Sequence, residues 1–135
     1  MKKVRVFLER GADGSFGVYM PDDNGLDWGV IGEGETMEEA IADFKASYEE
    51  MKEYYKEEGK PFEEVEFAYS YDVPSFLSYY KGLVTLAGLG RITGINQRQL
   101  SQYVSGYRKP SEKTTRKIEN ALHSFGADLQ GVRFM

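Results

Sequence analysis

The feature that most constrains this chain is the way caps and glycines divide residues 85–110, TLAGLGRITGINQRQLSQYVSGYRKP. Thr85 is a good N-cap, placed to accept a backbone N–H from the turn that follows. Leu86, Leu89 and then Ile92 or Thr93 recur at helical spacing on one face. Gly94 breaks that helix, because glycine alone turns left there without steric cost. Asn96 caps a second helix, Gln97 to Ser105, with Leu100, Tyr103 and Val104 as its apolar positions, and Gly106 ends it. The stretch therefore predicts two short helices, a tight turn between them and a basic loop behind.

Two helices joined by a short Gly-containing turn match the helix-turn-helix signature. Asn96 starts the second helix, and Gln97, Arg98, Gln99, Ser101 and Gln102 form its polar face, with no carboxylate among them. Such a helix reads base edges with its N-terminal part. Glutamine pairs well with adenine and arginine with guanine in the major groove. Tyr107, Arg108 and Lys109 follow where the chain would leave the groove past the phosphates. Gln and Arg are common on any exposed helix, so the polar face alone equally fits a solvated hairpin. The ordered series of small residue, Gly, cap, Gln/Arg-rich helix, Gly and basic loop is far more restrictive, and it makes these nine residues, Asn96 to Lys109, the expected DNA-binding set.

Residues 85–125 resemble the Xre/Cro-type helix-turn-helix family, through Leu89, Gly90, Gly94, Asn96, Gln97, Leu100, Gly106 and Pro110. Where that family often has a Gln that clamps a phosphate, this chain has Leu86. Gly88 and Gly90 lie inside the first helix, each costing about 1 kcal/mol against Ala, which points to close helix packing or a loosely held helix.

The net charge of −5 hides an uneven distribution. Residues 1–72 carry 8 Lys and Arg against 19 Asp and Glu, a balance of −11, whereas residues 73–135 carry 9 against 3, a balance of +6. The basic part suits a polyphosphate backbone, and the acidic part would repel DNA and attract a basic protein. The split reads as two modules, 1–72 and 73–135. With 135 residues, either one domain or two small ones fit. No long apolar run marks a membrane helix, and the start MKKVRVFLER lacks the apolar stretch of a signal peptide, so a cytoplasmic location is expected. The absence of cysteine excludes disulfides and thiolate chemistry.

The first module reads as α+β, in the order β-β-β-α-β. Val4, Val6 and Leu8 mark a strand near residues 3–10, Gly11 to Gly14 a turn, and Ser15 to Met20 the returning strand. Leu26 to Gly32, with Trp28, Val30 and Ile31, is a short third strand. Thr36 caps a helix running to about Glu58, whose stripe Met37, Ala40, Ile41, Phe44, Tyr48, Met51 and Tyr55 covers one face of the sheet. Glu64 to Tyr71 supplies the fourth strand, and Pro74 begins the second, all-α module.

That pattern, with Asp13-Gly14, Pro21, Gly34, Thr36, Glu39 and Ala40 in place, resembles the HicB family of antitoxins; the family's Pro-Gly pair in the loop is replaced by Asp22 to Gly25. A HicB-like domain followed by an Xre-type domain is a known arrangement in that family. The resemblance implies an N-terminal domain similar to a degenerate ribonuclease-H-like or double-stranded-RNA-binding-like fold. It would bind a small basic RNA-cleaving toxin of the HicA kind and cover its catalytic histidine. The C-terminal domain would bind and repress the operator of the toxin–antitoxin operon. No sharp motif marks the toxin contacts. Tyr19, Trp28 and the acidic loop residues Asp22, Asp23 and Asp27 are the candidates, and core packing is the competing role for the two aromatics, since large apolar side chains are usually buried.

Asp13, Asp22, Asp23 and Asp27 could together hold Mg²⁺ and support phosphodiester cleavage. Asp13, Asp22 and Asp23, however, occupy turn positions that favour Asp for backbone reasons, with no His beside them and no evident general base. Catalysis, a metal and a cofactor are therefore not expected. The last helix, Glu112 to Phe125, is capped by Ser111 and ended by Gly126, with Ile118, Ala121, Leu122 and Phe125 buried and His123, the single histidine, beside that stripe. The run Lys113 to Lys117 is open to two readings, phosphate contact or a solvated face. The tail Ala127 to Met135, with Leu129, Val132 and Phe134, should seek a groove or a partner, and a dimer or larger homo-oligomer is expected because such proteins read two half-sites. The alternative function is a stand-alone transcriptional regulator whose N-terminal module senses a ligand or oligomerises.

Overall fold

Alternation along β1 (Lys2–Arg10) sends Val4, Val6 and Leu8 to one face and Lys3, Arg5 and Glu9 to the other. The Gly11–Ser15 turn closes the first hairpin: the Gly11 N–H donates to the Ser15 carbonyl (2.7 Å), and the Asp13 carboxylate accepts from the Ser15 N–H and hydroxyl. Gly14 takes a φ of 86° there, a left-handed turn that glycine adopts without strain. β2 (Phe16–Tyr19) returns antiparallel to β1, with Phe7 opposite Tyr19.

The computed structural model describes all 135 residues, an α+β fold with a four-stranded mixed sheet and five helices. The chain forms two compact units, Met1–Tyr79 and Tyr80–Met135. Residues 73–79 carry no charge, so the acidic and basic balances stay with the first and second unit.

In the first unit the strand order is β3-β2-β1-β4, with β4 (Val65–Tyr71) parallel to β1 and the other pairs antiparallel. The third strand differs from the expected 26–32: β3 is Ile31–Gly34. Register explains the shift, because pairing Tyr19 with Ile31 and Phe16 with Gly34 extends the hairpin in step. Trp28 and Val30 remain outside the ladder yet are buried, so their hydrophobicity serves the core from a loop. Helix α1 (Met37–Glu57) starts at Thr36, whose hydroxyl accepts from the Glu39 N–H, and buries Met37, Ala40, Phe44 and Tyr55. A Cβ on Gly32 would collide with the Ala40 carbonyl and come within 2.6 Å of the Phe44 nitrogen, and one on Gly34 would meet the Ala40 nitrogen at 2.6 Å. The two glycines let β3 lie directly on α1. Trp28 stacks on Phe62 (4.8 Å between centroids), and Tyr48, Tyr55 and Phe67 continue the aromatic cluster.

An additional helix, α2 (Val73–Tyr80), follows β4. Asp72 caps it by accepting from the Ser75 N–H (2.9 Å), and its other carboxylate oxygen accepts from the Arg10 N–H, tying the helix start to the end of β1.

The second unit holds α3 (Leu86–Thr93), α4 (Gln97–Ser105) and α5 (Glu112–Gln130). Thr85, Asn96 and Ser111 each cap with a side-chain oxygen, and Gly94 (φ 76°) and Gly106 (φ 79°) end the first two helices in the left-handed region. Its core is Leu89, Thr93, Ile95, Leu100, Tyr103 and Ile118. A Cβ on Gly90 would stand 2.9 Å from the Ile95 carbonyl, so this glycine marks close packing rather than a loose helix. Gly126 does not end α5, which continues to Gln130. A single interior glycine costs only about 1 kcal/mol, and the residues beyond it remain compatible with a helix. Phe125, expected in the core, is 37% exposed.

Candidate nucleic-acid interface

α3 and α4 are separated by the three-residue turn Gly94-Ile95-Asn96. Ile95 is buried beneath it, and the Thr93 hydroxyl donates to the Leu89 carbonyl (2.7 Å) while accepting from the Ile95 N–H, so the turn is fixed from inside. Leu100 and Tyr103 anchor α4 through its inner face, which leaves the opposite face in solvent.

That outer face carries Gln97, Arg98 and Ser101, all exposed, with Gln102 half-buried. Asn96 is exposed, but its side-chain oxygen accepts from the Gln99 N–H at 2.8 Å. Gln99 is half-buried and its amide donates to the buried Tyr103 hydroxyl, so it satisfies a core group rather than standing free on the outer face. Behind α4, Tyr107 is 82% exposed, and Arg108 and Lys109 are exposed beside it. The Arg108 N–H donates to the Gln102 carbonyl, which holds this loop against the end of α4.

The position of Lys117 emerges only from the fold. Its Nζ lies 3.7 Å from where a Cβ on Gly94 would be, which brings a cation from α5 to the turn that opens α4. Lys113, Thr114, Arg116, Lys117 and Asn120 line a shallow concavity on the same helix, with Arg116 paired to Glu112 at 2.8 Å. No carboxylate occurs between Asp72 and Glu112 in the sequence, so α3, α4 and the loop after them carry cations but no acidic side chain. An anionic surface can approach this region without like-charge repulsion.

The residues marked in the first unit differ in exposure and in partners. Trp28, a candidate partner contact, is 7% exposed and stacked in the aromatic cluster; its bulk is worth more in the core than at the surface. Tyr19 is 37% exposed on the sheet face opposite α1, and its hydroxyl donates to Glu9. Burial of the ring, followed by the neighbouring Glu9 charge, raises its pKa. Asp22, Asp23 and Asp27 are exposed around the loop that Asn24 organises by donating to the Pro21 carbonyl and accepting from the Leu26 N–H. Hydrogen bonds from Ser15 lower the Asp13 pKa, the signature of a turn-forming carboxylate. No group of three or more His, Cys, Asp or Glu side chains is arranged to hold a metal ion. No helix is long and apolar enough to cross a membrane.

No protein-family model matches the chain, and no curated protein and no solved structure shows significant similarity to it.

Proposed function

We propose that the chain is a HicB-like antitoxin that also represses its own operon. The second unit would bind double-stranded operator DNA as a helix-turn-helix domain, with α4 in the major groove. Gln97, Arg98, Ser101 and Gln102 would face the base edges, while Tyr107, Arg108 and Lys109 would follow the phosphates. The observation that carries this reading is the exposed polar face of α4 on a stretch that holds no carboxylate from Val73 to Ser111. Asn96 serves the assembly through its cap, and Gln99 through Tyr103.

The first unit, with its balance of −11, would take a small basic RNA-cleaving toxin of the HicA kind. Acidic side chains complementary to an RNA-binding surface compete for that surface directly and speed encounter. The motifs Asp13-Gly14, Pro21 and Gly34-x-Thr36-x-x-Glu39-Ala40 support this assignment. A cytoplasmic location and a homodimer belong to the same reading.

Co-expression with the product of the neighbouring open reading frame, which this reading expects to be a small basic protein, is the test. Growth arrest by the neighbour alone, relieved by this chain with recovery of a stable complex, is the expected result. A harmless or non-binding neighbour removes the antitoxin role and leaves a DNA-binding regulator whose first unit serves another purpose.

A further inference from the structure

The open face of the sheet holds a pocket that the proposed function leaves unassigned. Lys3, Arg5 and Phe7 stand on the face of β1 turned away from α1, because the alternate positions Val4, Val6 and Leu8 point into the core. Pro21, Asp23 and Asn24, in the loop after β2, join them around a cavity of about 420 Å³, within the range of small-molecule sites. Three hydrogen bonds fix this loop as a wall. The Asn24 amide donates to the Pro21 carbonyl (2.7 Å), its side-chain oxygen accepts from the Leu26 N–H (2.9 Å), and the Lys2 ammonium donates to the Asn24 carbonyl (2.7 Å). A pocket shaped in advance loses less freedom when it is filled.

The groups around it are uncommitted and of three kinds. Lys3 and Arg5 are exposed and neither is held in an ion pair, although Glu66 is the register neighbour of Lys3 on β4. Phe7 is half-buried, with its ring 5.6 Å from that of Tyr19 and the Arg5 guanidinium 6.0 Å from its centre. Ala68 and Ser70, beside Arg5 and Phe7 on β4, are small, so no bulky side chain of that strand covers the ring. Asp23 adds an exposed carboxylate from the loop.

We infer that this pocket binds a purine nucleoside monophosphate, with guanine preferred through Asp23. Lys3 and Arg5 are about 7 Å apart along the strand, a span that two long side chains can close on one phosphate dianion. An aromatic face beside a guanidinium takes a nucleobase by stacking, whichever base it is. A carboxylate accepts two parallel N–H groups, and guanine offers such a pair on neighbouring atoms where adenine does not. The balance of −11 in the first unit opposes a long polyanion, whereas a single phosphate is a charge that two local cations neutralise. The inference stands apart from the DNA-binding role, which rests on α4 in the second unit.

Isothermal titration calorimetry of the full chain with guanosine monophosphate, at fixed salt, is the test. One nucleotide per chain should bind saturably. Guanosine and inorganic phosphate should each bind at least about 10-fold more weakly, since each leaves part of the pocket unfilled. Lys3→Ala and Arg5→Ala should each lower affinity by about 10- to 100-fold, the worth of a charge-assisted hydrogen bond to phosphate, with the circular dichroism unchanged. Should either variant unfold, Lys3→Gln and Arg5→Gln take their place with the same expected loss. Asp23→Asn should abolish the preference for guanosine over adenosine monophosphate. Lys45→Ala, which removes an exposed cation from α1, outside the pocket, should bind like wild type. No saturable binding overturns the inference, as does binding that survives the Lys3 and Arg5 substitutions in folded protein. Equal affinity for inorganic phosphate would leave only an anion site, and equal affinity for guanosine only an aromatic slot; either overturns it. A short single-stranded RNA that binds more tightly than the mononucleotide would make the ligand a strand and overturn it as well. A wild-type chain indifferent to the base removes the guanine assignment.

Discussion

Arg98 and Arg108 differ in the task that their positions allow. Arg98 projects from the outer face of α4 near its N-terminal end, where a guanidinium can meet a guanine edge, whereas Arg108 lies in the loop behind. On the proposed function, Arg98→Ala and Gln102→Ala should each weaken operator binding by about 1–3 kcal/mol and relax specificity, leaving binding of the proposed toxin nearly intact. Titration of each variant against operator and partner checks this, and loss of partner binding with either would contradict the proposed division of labour between the units. Arg108→Ala should weaken binding to all DNA sequences alike and reduce the slope of log K against log salt by about 1. Trp28 belongs to a different class, stacked on Phe62 and nearly enclosed. Trp28→Ala should destabilise the first unit by about 3–5 kcal/mol, read by denaturant unfolding. A cost below about 1 kcal/mol would favour the partner-contact role over core packing.

Among the elements, β3 and α1 show how close approach was bought with side chains left out. Gly32 faces α1 so closely that any Cβ requires backbone to move. Gly32→Ala should therefore destabilise by more than the ~1 kcal/mol gained or lost through intrinsic propensity, and chemical denaturation would show it. An unchanged midpoint would mean that α1 slides away at no cost. The helix caps were legible from sequence because they are local: Thr36, Thr85, Asn96 and Ser111 each needed only a hydroxyl or amide three residues before an N–H. α2 carries a local signal as well, Asp72 followed by Pro74 in the first helical turn. The true β3 had no such signal. Trp28, Val30 and Ile31 form an apolar run that suits a strand or a buried loop, and only pairing with β2 selects between them.

Over the whole molecule, charge is segregated by unit. In the first unit, burial raises the pKa of Tyr69, and the neighbouring Tyr79 adds to the rise; Tyr55 is raised by burial and then by Asp27. Folding thus favours the protonated phenols. Their contribution is complete below the ordinary tyrosine value of about 10, and it is lost as pH rises through the higher folded values, where the unfolded chain has already released its protons. Thermal unfolding of the first unit should shift to lower temperature above about pH 10, followed by near-ultraviolet circular dichroism of its aromatic cluster. A transition that stays level through that range would show that these hydroxyls ionise without strain on the fold.

The sequence by itself determined what short-range physics determines: the caps, the left-handed glycines, the amphipathic stripes of α1 and α4, the acidic and basic halves, and the α+β class. Each depends on residues within one or two turns, or on composition, and needs no knowledge of distant contacts. Tertiary structure alone decided which strand lay beside β2, which of its two candidate roles Trp28 took, that Lys117 reached the turn before α4, and that Gln99 served Tyr103. It also carried α5 past Gly126, leaving its stripe in solvent. Those outcomes turn on which groups from separate parts of the chain compete for the same buried space or the same hydrogen bond, and that competition exists only once the chain has folded.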